Sequence, residues 1–232
     1  MREDIEKCKT LDELFKIWKK EEIHKDKVFV SDGIVNPDVW NSSEYKKILF
    51  ILKEAYGNKN NDWSLTKWLV ECEKHPKMWK RIVEWTYGIN YTTASEIKEY
   101  YPSIYDENKE LIKSIAVMNL KKSNGKSHTD MSELGEYAKA DSDFIKQQIK
   151  LISPNVIVCG YTLSTLDKNV YDGKIKYDKN CDDWFYFTNE FTGKETLVID
   201  YYHPAARKGN KRKKYNRLAE CCQKALLSKI KK

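Results

Sequence analysis

The chain of 232 residues contains few residues that loosen regular structure, with only 9 glycines and 5 prolines. Aromatic residues, by contrast, make up 12% of it. This composition excludes collagen-like, disordered and linker-rich proteins, which are rich in glycine or proline and poor in aromatic side chains. A chain of this length can bury a sizeable core, so we expect one domain over residues 1–232, with a helical N-terminal extension over about residues 1–40.

Long apolar runs and paired cysteines are also missing. No segment approaches the roughly 18 apolar residues that a membrane-spanning helix needs, and the N-terminus is charged, which predicts a cytoplasmic protein without membrane contact. The six cysteines form no Cys-x-x-Cys pair, which favours free thiols over a disulfide framework, structural zinc or an iron–sulfur cluster. Cys72 and His75 have ligand-like spacing but no second pair, so a helix surface explains them better than a metal site. We therefore expect no metal and no cofactor.

The charge balance is moderately basic, with 42 Lys and Arg residues against 35 Asp and Glu residues, a formal net charge of +7. Such a surface attracts polyanions, although a lysine-rich composition can also serve solubility alone. The basic residues crowd together near the C-terminus as Arg207, Lys208, Lys211, Arg212, Lys213, Lys214 and Arg217. A nucleic-acid contact and a solvated charge run both remain open for this cluster.

Four short apolar runs, at residues 48–52, 115–118, 156–159 and 196–199, are typical of strands buried on both faces. Helical patterns lie between them, at residues 63–73, 77–85 and 142–152. This alternation predicts an α/β fold, a three-layer sandwich in which helices cover both faces of a central, mostly parallel four-stranded sheet. Residues 185–187 could pair with the last strand as a hairpin. Thr10 and Glu13 predict a capping box at the start of a helix that runs to about residue 22, and a final helix is predicted over residues 215–229.

Polar residues follow each apolar run, where ligands bind in open α/β sheets. They are the segments 53–57, 119–122, 160–162 and 200–207. His203 is the strongest functional candidate among the four histidines, because it follows a strand, is held by Pro204 and leads into the basic cluster. Taken singly, Glu54 could equally be an ordinary loop carboxylate, and Asn119 could cap a helix or turn.

Three of these segments resemble, in order, the motifs of the uracil-DNA glycosylase superfamily. Lys53-Glu54-Ala55-Tyr56-Gly57 is closest to the Gly-Glu-Ala-Pro-Gly motif of the iron–sulfur branch, Val117-Met118-Asn119 resembles the strand with the base-recognising asparagine, and His203-Pro204-Ala205 resembles the His-Pro-Ser/Ala motif. The resemblance covers about residues 45–210. Lys53 and Tyr56 depart from the first motif, residues 62–102 form a longer connection than usual, and the cysteine ligands of the iron–sulfur branch are absent.

The resemblance implies a monofunctional DNA glycosylase of DNA repair, which flips a base out of the helix and cleaves its N-glycosidic bond. The base would be uracil or a modified pyrimidine. His203 would donate a hydrogen bond to the leaving base, where charge develops in the transition state. Asn119 would read the pyrimidine edge with its amide. The family's water-positioning aspartate falls at Ala55, so that role is vacant or passes to Glu54.

Other positions refine this hypothesis. Gly57 stands where a tyrosine elsewhere in the family excludes bulky 5-substituents, which implies a roomier pocket. Tyr56 or Trp63 would stack on the flipped base, with core packing an equal alternative for Trp63. The residues expected to contact DNA phosphates are Arg207, Lys208, Lys211 and Arg212.

Two other functions remain open. The departures at Lys53, Ala55 and Tyr56 suggest a non-catalytic module that binds a base or nucleotide. Alternatively, carboxylates and a histidine at strand ends could hold a divalent ion in a metal-dependent hydrolase. Its ligands would be Asp200, His203 and Glu54, with Asp62 as a further candidate.

Overall fold

The structure is a computed structural model that describes residues 2–42, 44–57, 60–175 and 185–230. Its strands are β1 (Val30–Ser31), β2 (Gly33–Ile34), β3 (Ile48–Tyr56), β4 (Trp63–Ser64), β5 (Ile115–Gly125), β6 (Val156–Gly160), β7 (Phe185–Thr188) and β8 (Thr196–Tyr201). Its α-helices are α1 (Glu3–Glu6), α2 (Leu11–Trp18), α3 (Pro37–Asn41), α4 (Leu65–Glu71), α5 (Lys77–Tyr91), α6 (Ile104–Asn108), α7 (Met131–Ala140), α8 (Ser142–Ile152), α9 (Leu163–Val170) and α10 (Lys211–Ile230). Short 3₁₀ helices cover Glu22–His24 and Lys109–Ser114.

The main sheet has six strands in the order β2-β5-β3-β6-β8-β7. The four apolar runs form its centre, where β5, β3, β6 and β8 are mutually parallel. The prediction of four strands is wrong, because antiparallel β2 and β7 extend the sheet at its two edges and make it mixed. The edge strand β2 is two residues long, too short to produce an apolar run in the sequence. The predicted hairpin is confirmed in the pairing of β7 with β8.

Alternate residues of the central strands belong to two separate hydrophobic cores. Phe50 of β3 lies in one core with Trp85 of α5 and Leu218 of α10. Ile51, the next residue, lies in the other core with Trp18 of α2 and with residues of α7, α8 and α9. Because successive side chains of a strand point to opposite faces, helices cover both faces of the sheet.

The N-terminal segment contributes to this framework. The capping box is confirmed, since the Thr10 side chain accepts the Glu13 N–H at 3.2 Å and the Glu13 carboxylate accepts the Thr10 N–H at 3.3 Å. Helix α2 ends at Trp18, before the predicted end, and Trp18 is fully buried. Residues 2–41 thus add both an edge strand and core side chains to the α/β fold.

Helix α8 has the predicted bounds, whereas α5 and α10 are longer than predicted, and α7 and α9 were not predicted. None of the described helices combines the length and the apolar character needed to cross a membrane.

Candidate functional site

The topology defines a crevice between β3 and β6. From β3 the chain crosses to β5 on one side, and from β6 it crosses to β8 on the other. Ligand sites of open α/β sheets lie at the carboxyl ends of strands where the connections diverge in this way. Residues 53–57 and 160–162 border this switch point, and the turn at His203 follows the next strand, β8.

Strand register places Leu52 and Asn119, inside the longer strands β3 and β5, beside the ends of β6 and β8. Leu52 of β3 pairs with Asn119 of β5, and Gly160 of β6 pairs with Tyr201 of β8. A Cβ atom at Gly160 would lie 2.9 Å from Leu52 Cδ2 and 3.3 Å from Pro204 Cδ. The absence of a side chain at Gly160 therefore lets the His203-Pro204 turn pack closely against the ends of β3 and β6.

The local hydrogen bond of His203 determines its tautomer. The backbone N–H of Ala205 donates to His203 Nδ1 at 3.1 Å. In the neutral ring the proton must therefore be on Nε2. Burial, together with the positive charges of Lys53 and Arg81, lowers the pKa of His203 to about 4. At neutral pH His203 is thus an uncharged ring with an Nε2–H donor, which has no hydrogen-bond partner among the described residues.

Arg81 of α5 fixes the turn that carries this histidine. Its guanidinium donates to the carbonyl of Pro204 and, at 3.0 Å, to the carbonyl of Ala206. Lys214 of α10 donates to the same Ala206 oxygen at 3.1 Å. The turn is thus held between two helices. Arg81 has no signal in the sequence. It lies inside helix α5, 123 residues from Pro204, and does not follow an apolar run.

Lys53 and Tyr161 form the border of the crevice near His203. The Lys53 Nζ lies 4.8 Å from the centroid of the Tyr161 ring, and burial lowers the pKa of Lys53. Tyr161 has a left-handed backbone with φ +59°, and its side chain lies at the surface with the residue 66% exposed. Its N–H donates to Tyr201 O at 2.8 Å, which ties it to the end of β8. Sequence analysis treated Lys53 only as a departure from a motif.

Glu54, the candidate for positioning water, lies in a different environment. Its side chain is only 5% exposed, and its Oε2 lies 3.2 Å from Lys121 Nζ, which also pairs with Glu133 at 2.8 Å. A Cβ atom at Gly125 would lie 2.7 Å from Glu54 Cδ, so the carboxyl group packs directly on that glycine. Among the described contacts none joins Glu54 to His203. The ion pair with Lys121 holds Glu54 towards β5.

Asn119, the predicted base reader, is 2% exposed and is bound by Asp32. The carboxylate oxygen Oδ2 of Asp32 accepts the Asn119 backbone N–H at 2.7 Å and lies 3.4 Å from Nδ2. Asp32 also accepts from Lys122 at 2.6 Å and from Gln148 at 2.8 Å. Because a carboxylate only accepts, Asp32 orients the nitrogen of the amide towards itself. The amide oxygen and its second N–H face away from that carboxylate.

The remaining residues of the first motif divide between surface and core. Tyr56 is 70% exposed, whereas Ala55 is buried in the hydrophobic core. A Cβ atom at Gly57 would lie 3.4 Å from the Trp63 ring, so the indole fills the space that was expected to make the pocket roomier. Trp63 packs against the core and donates from Nε1 to Asn124 Oδ1 at 3.2 Å. Its contacts match the core-packing alternative.

The basic cluster surrounds a surface groove of about 350 Å³ beside the His203 turn. The groove is lined by Tyr202, Lys208, Gly209, Asn210, Lys213, Lys214 and Arg217. Arg207 and Arg212 are also exposed. Lys211 differs from the other members, because its Nζ pairs with the buried Glu84 of α5 at 2.5 Å. Burial raises the pKa of Glu84, and its bond to Lys211 counters that rise. Lys211 therefore anchors helix α10 as well as adding charge.

A second groove, of about 640 Å³, lies at the end of β8 and is acidic. It is lined by Leu163, Ser164, Asp167, Lys168, Asp172, Gly173 and Asp200. Burial raises the pKa of Asp200. Three carboxyl groups would repel a phosphate, so this groove is a poor surface for a nucleic-acid backbone.

Two of the four candidate metal ligands are bound by other protein groups. Asp62 accepts the Phe29 N–H at 2.7 Å, and Glu54 pairs with Lys121. Within the described ranges no three His, Cys, Asp or Glu residues are arranged to hold a metal ion.

His75 is buried, not on a helix surface, and its ring contacts Tyr105 Oη at 3.0 Å and Leu69 O at 2.9 Å. The cysteines among the described residues, 8, 72, 159, 221 and 222, form no disulfide with one another, whereas Cys181 lies outside those residues.

No protein-family model matches the chain, and no curated protein matches it. The family resemblance thus remains a prediction that depends on three short motifs.

Proposed function

We propose that the chain is a DNA glycosylase-like hydrolase that cleaves the N-glycosidic bond of uracil or a modified pyrimidine in DNA. The observation that carries the proposal is the neutral His203 with its proton on Nε2, at a switch-point crevice beside Lys53 and Arg81. The three motifs that resemble uracil-DNA glycosylases lie in β3, in β5 and directly after β8 of one sheet, which supports the same assignment.

His203 would act on the departing base. Cleavage through an oxocarbenium-like state leaves the base as an anion, with much of its charge on a carbonyl oxygen. The Nε2–H of a neutral imidazole strengthens its hydrogen bond as that charge develops, so it stabilises the transition state more than the bound substrate. The nearby charges of Lys53 and Arg81 favour the same anion. Water then attacks C1′ of the sugar, and the products are the free base and an abasic site.

Substrate recognition is proposed for Asn119 and Tyr56. Asp32 holds the Asn119 amide in one orientation, as reading the donor and acceptor pattern of a pyrimidine edge requires. The exposed Tyr56 ring is suited to stack on the flipped base. Access to Asn119 would require the neighbouring side chains to yield, since Asn119 is buried in the unbound chain.

DNA is the proposed partner, and DNA repair in the cytoplasm the proposed setting. The groove beside the His203 turn offers Lys208, Lys213 and Arg217, whose charges suit backbone phosphates. Such contacts orient the duplex without reading its sequence, so base selection would depend on the crevice alone.

The proposal is tested with labelled oligonucleotides that carry uracil or modified pyrimidines, in single-stranded and double-stranded form and with a chelator present. Alkali cleaves the strand wherever a base has been removed. We expect cleavage with the native chain and with His128→Ala, a change at an exposed histidine, and its loss with His203→Ala. Absence of abasic sites on every oligonucleotide would contradict the proposal.

A non-catalytic module that binds a base or nucleotide is the second candidate. It is favoured by Ala55, which places a core methyl group where the family has its water-positioning aspartate, and by the pairing of Glu54 with Lys121. In that case native chain and His203→Ala would bind the same ligands without cleaving them. Equilibrium binding of nucleosides and oligonucleotides, measured beside the cleavage assay, separates the two candidates.

A further inference from the structure

Lys53 differs from the other lysines at the carboxyl ends of the strands. Lys121 pairs with two carboxylates, and Lys122 pairs with Asp32 at 2.6 Å. No carboxylate of the described chain lies within ion-pair distance of Lys53, whose Nζ instead faces the Tyr161 ring at 4.8 Å. An amine at a crevice without a paired anion is available for chemistry with a ligand.

The position of Lys53 is suited to a reaction at the sugar. Leu52 and Pro204, the chain neighbours of Lys53 and His203, both approach Gly160, where a Cβ atom would lie 2.9 Å from Leu52 Cδ2 and 3.3 Å from Pro204 Cδ. A base that accepts a hydrogen bond from His203 Nε2 carries C1′ of its deoxyribose into the same crevice. After the base has left, C1′ belongs to the abasic sugar, which in its open form is an aldehyde.

We propose that Lys53 is the nucleophile of a second activity, an abasic-site lyase that forms an imine with the C1′ aldehyde left by base removal. This inference rests on the proposed function, because base removal supplies its substrate. Lysine amines are the usual partners of carbonyl groups in covalent catalysis, and they react in the neutral form. Burial lowers the pKa of Lys53 more than the charge of Glu54 raises it, which increases that neutral fraction.

The reaction needs no oxidant or reductant. The Lys53 nitrogen forms a bond to C1′, the carbonyl oxygen leaves as water, and a protonated imine results. Water removes a proton from C2′, the electron pair moves to break the C3′–oxygen bond, and the 3′ phosphate departs with its strand. Hydrolysis of the remaining imine releases an unsaturated aldehyde and returns the free amine of Lys53.

The test uses an oligonucleotide that already contains an abasic site, so that it does not depend on base removal by this chain. Full-length protein is incubated with it in cyanoborohydride, which reduces an imine to a stable amine. We expect a covalent adduct on denaturing gels, with the modified peptide containing Lys53. Lys53→Arg keeps the positive charge but should lose the adduct, and Lys80→Arg should retain it. Lys80 is a matched control because it also faces a tyrosine ring, at 4.6 Å from Tyr105.

Each outcome of this test has a definite meaning. No adduct with the native chain, equal adduct with Lys53→Arg, or modification spread over other lysines would overturn the lyase. Base release without an adduct would leave the glycosylase proposal standing, whereas an adduct without base release would remove the glycosylase but keep the amine chemistry. Lys53→Gln serves as a second variant without the amine. A thermal unfolding curve for each variant shows whether the loss of the adduct reflects a loss of the fold.

Discussion

The backbone N–H of Ala205 donates to Nδ1 of His203 across 3.1 Å and thereby sets the proton of the ring on Nε2. A turn of only three residues thus makes the histidine a donor on the side away from its own loop.

The first prediction concerns the pH dependence of base release. Because the pKa of His203 is about 4, the ring stays neutral across the physiological range, and base release should not change with pH between about 5.5 and 8 through this group. It should fall as pH drops through about 4. The ring C–H resonances of His203, followed by NMR, should titrate at the same pH. A midpoint near 6.5 would contradict the assignment.

The second prediction concerns stability and follows from the same pKa. The folded chain holds His203 neutral below its ordinary pKa of 6.5, so between pH 6.5 and 4 the unfolded chain binds more protons. Stability should therefore fall as pH decreases through that window. His203→Gln should lose this part of the dependence, as measured by thermal unfolding at a series of pH values. His128→Gln serves as the control, and identical pH profiles for native chain and His203→Gln would count against a buried neutral ring.

The third prediction identifies Arg81 as a positioning residue. Arg81→Ala removes two bonds to the turn, at Pro204 and Ala206, and should lower the rate of base release by on the order of 10²-fold. It also removes a positive charge, so the pKa of His203 should rise. Arg81→Lys keeps the charge with fewer donors and should recover part of the rate. An unchanged histidine titration in Arg81→Ala would show that Arg81 does not act on His203.

The fourth prediction concerns the basic groove. If Lys208 and Lys213 contact phosphates, replacing either by alanine should reduce the slope of log affinity against log salt by about 1. Lys16→Ala, at an exposed position of α2, should leave the slope unchanged. Binding is measured by fluorescence anisotropy at several salt concentrations. Equal slopes for all three variants would show that the groove does not face DNA.

The fifth prediction concerns the buried ion pair of Asp32 and Lys122, whose side chains are fully buried. Lys122→Met leaves the Asp32 carboxylate without its charged partner and should lower the free energy of unfolding by about 3 to 5 kcal/mol. Asp32→Leu combined with Lys122→Met should cost less, since neither charge is then left unpaired. Chemical denaturation of the single and double variants tests this difference, which would vanish if the pair were solvated.

The sequence predicted the centre of the fold better than its edges. The central strands are buried on both faces and therefore produce continuous apolar runs, such as 48–52 and 156–159. The edge strand β2 contains only Gly33 and Ile34, and such a pair has no distinguishing pattern. Helix α9 has only eight residues, with Leu166 and Val170 as its main buried apolar side chains, so its pattern is weak in the sequence.

The site was predictable only where a residue follows an apolar run. His203 and Lys53 satisfy that rule, since Lys53 follows the run 48–52 inside β3, whereas Arg81 reaches the turn from a helix more than one hundred residues away in sequence. The direction of Glu54 depends on a β-bulge between Glu54 and Ala55 and on its ion pair with Lys121. Such tertiary contacts have no signature in the order of residues, so the pairing of Glu54 with Lys121 could not be predicted from the sequence.

The left-handed backbone of Tyr161 lowers the stability of the fold in exchange for an exposed aromatic side chain. A residue with a side chain gives up roughly 1 to 2 kcal/mol in this conformation relative to glycine. The ring gains little from burial in return, because most of it faces solvent. Glycine would avoid this cost, so under the proposed function the tyrosine keeps an aromatic face beside Lys53 at the expense of stability.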